Sequence, residues 1–195
     1  MDAIEFLRQV NGLKTVKRTG WIVEGIKEPE SVAEHSFGTA LLVLVFGQKR
    51  KDINPDKAMK MALIHDLAES ETGDILVDWK VNNFFRPLLN SIPGRHHGIT
   101  GEEKHEIERK VMENLTEKIE NGEELFNLWM EFEEGETKEA VFVRSLDKLE
   151  MLFQCIVYEK SQGTDLSHWI LDKRNEIEDL QVREIFKEIL ERRKK

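Results

Sequence analysis

At 195 residues, 39% apolar and 34% charged, the chain has the size and mix of one folded domain with a real core, which excludes a disordered segment. Its formal charge of −9 argues against a nucleic-acid partner, and the one dense basic run, ERRKK, reads as a solvated helix end. No stretch approaches the roughly 20 apolar residues of a membrane helix, the N-terminus MDAIEFLRQVNG has no signal-peptide pattern, and a single cysteine, Cys155, allows neither an intrachain disulfide nor a cysteine-based zinc site; a cytoplasmic protein with no membrane partner is expected.

The pattern predicts helices separated by short breaks. A first helix is expected from Asp2 to Val10, with Ile4, Phe6, Leu7 and Val10 as its apolar set. Residues 11 to 29 read as irregular, because Gly12, Gly20, Gly25 and Pro29 interrupt every period. Ser31-Val-Ala-Glu34 is a capping box. The helix it opens runs through LLVLVFG, apolar almost all round, so burial is expected. Asn54-Pro55 starts the next helix, with proline at its first position, and that helix should continue through AMKMALIHDLAES to Thr72-Gly73.

Residues 74 to 101 hold Pro87, Pro93, Gly94, Gly98 and Gly101 and read as a loop-rich excursion with one short helix around Phe84 to Leu89. Helices resume at Glu102 to Asn121, Glu123 to Glu133, Thr137 to Ser161 and Val182 to Arg193. With no run of alternating β-branched residues, the expected fold is all-α, a single helical-bundle domain over residues 1–195 with its metal site in the core.

Four groups carry the chemistry: His35, the pair His65-Asp66, and Asp147. Each interrupts an otherwise apolar helix, as in VFVRSLDKLEMLF around Asp147. A carboxylate among apolar residues is costly unless it is paired or bound to a cation. Singly, each residue has an ordinary explanation. A lone histidine on a helix is more often a hydrogen-bonded core residue than a ligand, and Asp147 could pair with Arg144 one turn away. The combination makes the case. Two imidazoles and two carboxylates suit one divalent ion of the cobalt, manganese, zinc, nickel or iron class, with positions left for water and substrate. Adjacent His65 and Asp66 lie about 100° apart around a helix and can flank one ion.

The order His, His-Asp, Asp resembles the signature of the HD superfamily of metal phosphohydrolases. The blocks SVAEHSFGTALL, ALIHDLAESETGDI and LWMEFEEGETKEAVFVRSLDKLEM are similar to the branch that contains bacterial 5′-deoxynucleotidases and their eukaryotic HD-domain relatives. The resemblance implies a metal held by His35, His65, Asp66 and Asp147. It places Glu69 at the catalytic carboxylate of the His-Asp-x-x-Glu motif and Asp74 beside bound nucleotide. Arg18 and Trp21 resemble the pair that lines the sugar and phosphate pocket, here separated by Thr19-Gly20. It also implies a nucleoside monophosphate substrate and a homodimer.

The residues themselves are compatible with these roles. Helical spacing puts Glu69 on the face of His65 and Asp66, where a carboxylate can move a proton during attack on phosphorus. Alternatively it caps the helix end, Asp74 serves an ordinary turn, and Arg18 is a surface residue. His96-His97, in the glycine-flanked GRHHGIT, is a weaker candidate for a second metal; His105 lies on a polar helix face, and Lys104 beside it reads as a phosphate contact or, more ordinarily, a solvated lysine. Three functions follow: hydrolysis of nucleoside 5′-monophosphates, hydrolysis of another phosphate ester, or a non-catalytic, metal-stabilised nucleotide sensor. Glu69-Ser70 departs from the Glu-Asp pair of alarmone hydrolases.

Overall fold

The computed structural model describes residues 3–77 and 99–193. Within them lie α1 (Ala3–Val10), α2 (Thr19–Val23), α3 (Val32–Gly47), α4 (Pro55–Ile64), α5 (Glu69–Thr72), α6 (Gly101–Thr116), α7 (Gly122–Glu134), α8 (Lys138–Gln162), α9 (Ser167–Lys173) and α10 (Leu180–Arg193). No strand occurs among the described residues, and an isolated antiparallel bridge pairs Lys17 with Ser31. The all-α expectation is met. The short helix expected near Phe84 to Leu89, and His96 and His97, lie outside the described residues.

The chain forms two compact units, each built from two separate stretches. The first comprises Met1–Glu34 and His65–Met130, the second His35–Ile64 and Glu131–Lys195. In the first, α1, the 3-10 turn Asn11–Lys14 and α5 pack on one another, and α6 packs on α5. Leu13, Trp21, Leu67, Met112, Leu115 and Trp129 fill its core. In the second, the 25-residue α8 is the spine on which α4, α9 and α10 pack. Its inward row of Phe142, Leu146, Leu149 and Leu152 recurs at helical spacing and is fully or almost fully buried.

Helix starts follow the local chemistry. Ser31 Oγ accepts from the Glu34 N–H while Glu34 Oε2 accepts from the Ser31 N–H, so the expected capping box forms. Asn54 Oδ1 accepts from the backbone of Asp56 and Lys57 ahead of α4. Thr100 and Glu103 form a second capping box on α6, and Thr137 caps α8.

Three expectations need correction. The helix expected to run unbroken from Pro55 to Thr72 stops at Ile64, and residues 65 to 68 form turns before α5. The carbonyl of His65, whose helical partner would be the Glu69 N–H, instead accepts from Trp129 Nε1 at 3.1 Å. Glu69 N–H donates to Asp66 three residues back, and the next two residues repeat that tighter spacing. Helix α3 is not buried all round: Phe37, Leu41, Leu44 and Val45 stay exposed along one side. Residues 11 to 29 hold the short helix α2, which Gly20 and Gly25 hid from any periodic reading.

Candidate functional site

In the second unit, His35 lies in the first turn of α3 and is fully buried. Its Nε2 is 2.9 Å from Asp147 Oδ1 and its Nδ1 is 2.5 Å from Glu150 Oε2. Asp147 and Glu150 lie one turn apart on α8. Asp147 also accepts from Lys148 Nζ at 3.0 Å. Arg144, the alternative partner, donates to the carbonyls of Phe132 and Glu133. With Glu150 beside Nδ1, the tautomer that carries its proton there would leave Nε2 as the nitrogen a metal could take. Gly38 makes this approach possible, since a Cβ there would stand 2.8 Å from Glu150 Oε1.

In the first unit, His65 and Asp66 sit in the turn after α4, not on a continuous helix face. His65 Nε2 is 3.3 Å from Asp66 Oδ2, and Arg18 Nη1 donates to that same oxygen at 3.3 Å. Two donors bound to one ion at about 2.1 Å and roughly at right angles stand about 3 Å apart. The His–Asp pair of each unit therefore has the spacing of a shared-cation edge.

Arg18 Nη1 is also 4.0 Å from Asp74 Oδ1. Asp74 is buried, its Oδ2 accepts from the Thr19 N–H, and its carbonyl accepts from the Thr19 hydroxyl at 2.6 Å. Gly73, at φ 70°, supplies the left-handed turn that brings Asp74 inward. Trp21 is buried and its Nε1 donates to Glu30 Oε1 at 2.9 Å. Thus Arg18, Asp66 and Asp74 are brought together, while Trp21 spends its N–H on Glu30.

Glu69 is buried on α5. Burial pushes its carboxyl well above the usual range, Asp66 and Asp74 push the same way, and Lys104 and Arg18 pull it back. Lys104 Nζ stands 3.4 Å from Glu69 Oε1 and 3.4 Å from Glu108 Oε1. Burial alone would lower the Lys104 ammonium, but Glu69, Glu108, Asp74 and Asp66 outweigh it and hold it above its ordinary value. Among the described residues, the carboxylates of Asp66, Glu69, Asp74 and Glu108 gather around Arg18 and Lys104, and carboxylates so grouped favour a bound cation.

Sequence reasoning missed Glu150, Trp129 and Glu108, and the pairing of Lys104 with Glu69. Glu150 was findable, lying three residues from Asp147 on the same helix. The partner of Lys104, Glu69, lies 35 residues away and leaves no local signal. Trp129 left no local signal, its bond to His65 spanning 64 residues.

A family model described as HD domain matches residues 10–190. The chain belongs to the HD-domain family. Among HD-domain relatives, a Dictyostelium discoideum protein named 5′-deoxynucleotidase HDDC2 is 38% identical over 165 residues, 80% of this chain and 77% of that one. The human protein of the same name is 36% identical over 167 residues, 85% and 70% of the two chains. Among solved structures, a conserved hypothetical protein from Pyrococcus furiosus superposes with a TM-score of 0.71 at 28% identity, covering 98% of both chains.

Proposed function

We propose that this HD-domain chain is a metal-dependent 5′-nucleotidase that hydrolyses (deoxy)nucleoside 5′-monophosphates to nucleoside and phosphate. The observation that carries the reading is the pair of His–Asp edges, 2.9 and 3.3 Å long, in a chain 36–38% identical to proteins named 5′-deoxynucleotidase. His35, His65, Asp66 and Asp147 would hold one divalent ion of the cobalt, manganese, zinc, nickel or iron class. Their mixed nitrogen and oxygen donors fit such an ion. When bound, it supplies Lewis acidity toward phosphate and acidifies water.

The chain's own residues account for binding and proton transfer. Arg18, held by Asp66 and close to Asp74, presents a guanidinium to the phosphate. Glu69 accepts a proton from water as the new P–O bond forms, and returns it to the 5′ oxygen as the ester bond breaks. Trp21 and Asp74 line the nucleoside side. The two interleaved units act as one domain over residues 1–195, in a cytoplasmic homodimer. Among the described residues no helix is long and apolar enough to cross a membrane.

The test is a phosphate-release screen over ribo- and deoxynucleoside 5′- and 3′-monophosphates with each divalent metal. Release from the 5′ isomers alone is expected. Equal rates on both isomers would favour a less selective phosphomonoesterase, and no release with any metal would favour a sensor.

A further inference from the structure

Helix α6 opens with a capping box, so the direction of its first turn is fixed, and Lys104 lies in that turn. A lysine there is electrostatically misplaced, because the helix N-terminus is the positive end of the macrodipole. The side chain is only 25% exposed, and it reaches two carboxylates that are themselves 2% and 8% exposed, Glu69 and Glu108. Glu108 lies four residues on along the same helix and steers the ammonium toward α5. The two oxygens of Glu69 are then unlike. Oε1 is engaged by Lys104 at 3.4 Å, while Oε2 is buried with no hydrogen-bond partner among the described residues.

We propose that Lys104, steered by Glu108, is the positioning residue of Glu69: it anchors Oε1, so that Oε2 is the oxygen turned to the reacting water. The inference rests on Glu69 acting as proposed above. A carboxylate that can rotate between two positions loses alignment with the proton it takes, and small misplacements of a reacting group are costly.

The experiment is a double-mutant cycle with Lys104→Met, Glu69→Gln and both together, plus Lys104→Arg. It is read on the four 2′-deoxynucleoside 5′-monophosphates and, separately, on p-nitrophenyl phosphate. Lys104→Met should lower kcat roughly 10- to 100-fold with KM and metal content near the parent's. Lys104→Arg should recover most of it. In the Glu69→Gln background, Lys104→Met should cost less than about twofold, because its effect passes through Glu69. If Lys104→Met fails to fold, Lys104→Gln takes its place in the cycle. A kcat within about twofold of the parent, or an equal cost with and without Glu69, would overturn the proposal. A coupled cycle on p-nitrophenyl phosphate in a parent inert toward nucleotides would remove the nucleotide assignment and keep Lys104. A parent inert toward both substrates would remove both.

Discussion

The indole N–H of Trp129 donates to the main-chain carbonyl of His65 at 3.1 Å, and α4 ends one residue before that carbonyl. Trp129 is wholly buried, and its ring stacks on His105 with centroids 5.6 Å apart. One side chain thereby both stops the helix and fixes the turn that carries His65 and Asp66. Trp129→Phe keeps a ring but removes the donor. Metal affinity should fall roughly 10- to 100-fold, the usual cost of losing a group that holds a ligand in place. A chelator-competition titration measures it, and an unchanged dissociation constant would release Trp129 from this role.

A similar argument applies to His35. Gly38→Ala would put a methyl 2.8 Å from Glu150 Oε1, so the carboxylate must move off the imidazole. Gly38→Ala and Glu150→Gln should both weaken metal binding, again roughly 10- to 100-fold. The double variant should be little worse than either single one, because both act on the same contact. Strictly additive losses would mean that Gly38 serves the packing of α3 on α8 instead.

For Glu69, replacement by Gln keeps the volume and removes the base. Metal content and nucleotide affinity should stay near the parent's, while kcat falls about 10²- to 10⁴-fold. Turnover within a few-fold of the parent at saturating substrate would leave Glu69 a structural group.

Acid stability provides a test away from the site. Arg50 donates to both oxygens of Asp52 at 2.8 Å, to Asp179 at 2.9 Å, and lies over the Phe142 ring at 4.9 Å. Hydrogen bonds from Arg50 bring the Asp52 carboxyl down from 3.8 to about 2. A carboxyl depressed in the folded state stabilises above its unfolded value, and that stabilisation is lost as pH falls through the folded value. The loss should therefore fall between about pH 4 and pH 2. Arg50→Met should lower Tm at neutral pH and flatten its fall across that window. A parallel displacement of the whole Tm-against-pH curve would show that Asp52 does not contribute.

What the sequence made legible is what short range encodes. The capping box at Ser31, the Asn54-Pro55 start and the long α8 all depend on neighbours within four residues. The order His35, His65-Asp66, Asp147 was legible because buried polar residues stand out in apolar helices. The stop at Ile64 was not, because MALIHDLAES continues the helical period and the group that breaks it is Trp129. Lys104 was misread for the same reason: its partner Glu69 lies 35 residues away. Asp74 went half-read. The turn at Gly73 was visible, but not the Thr19 backbone that its carboxylate accepts from.

The interleaving of the two units also sets a schedule for the ribosome. His35 emerges 112 residues before Asp147 and 115 before Glu150. At about 5 to 20 residues per second, the imidazole waits roughly 6 to 23 seconds for the carboxylates beside it. Over that interval the apolar α3 has been made without α8, and the growing chain must stay soluble with Asp147 and Glu150 still untranslated. An ion held by both His35 and Asp147 would accordingly be loaded late in the life of the nascent polypeptide, after α8 has been made.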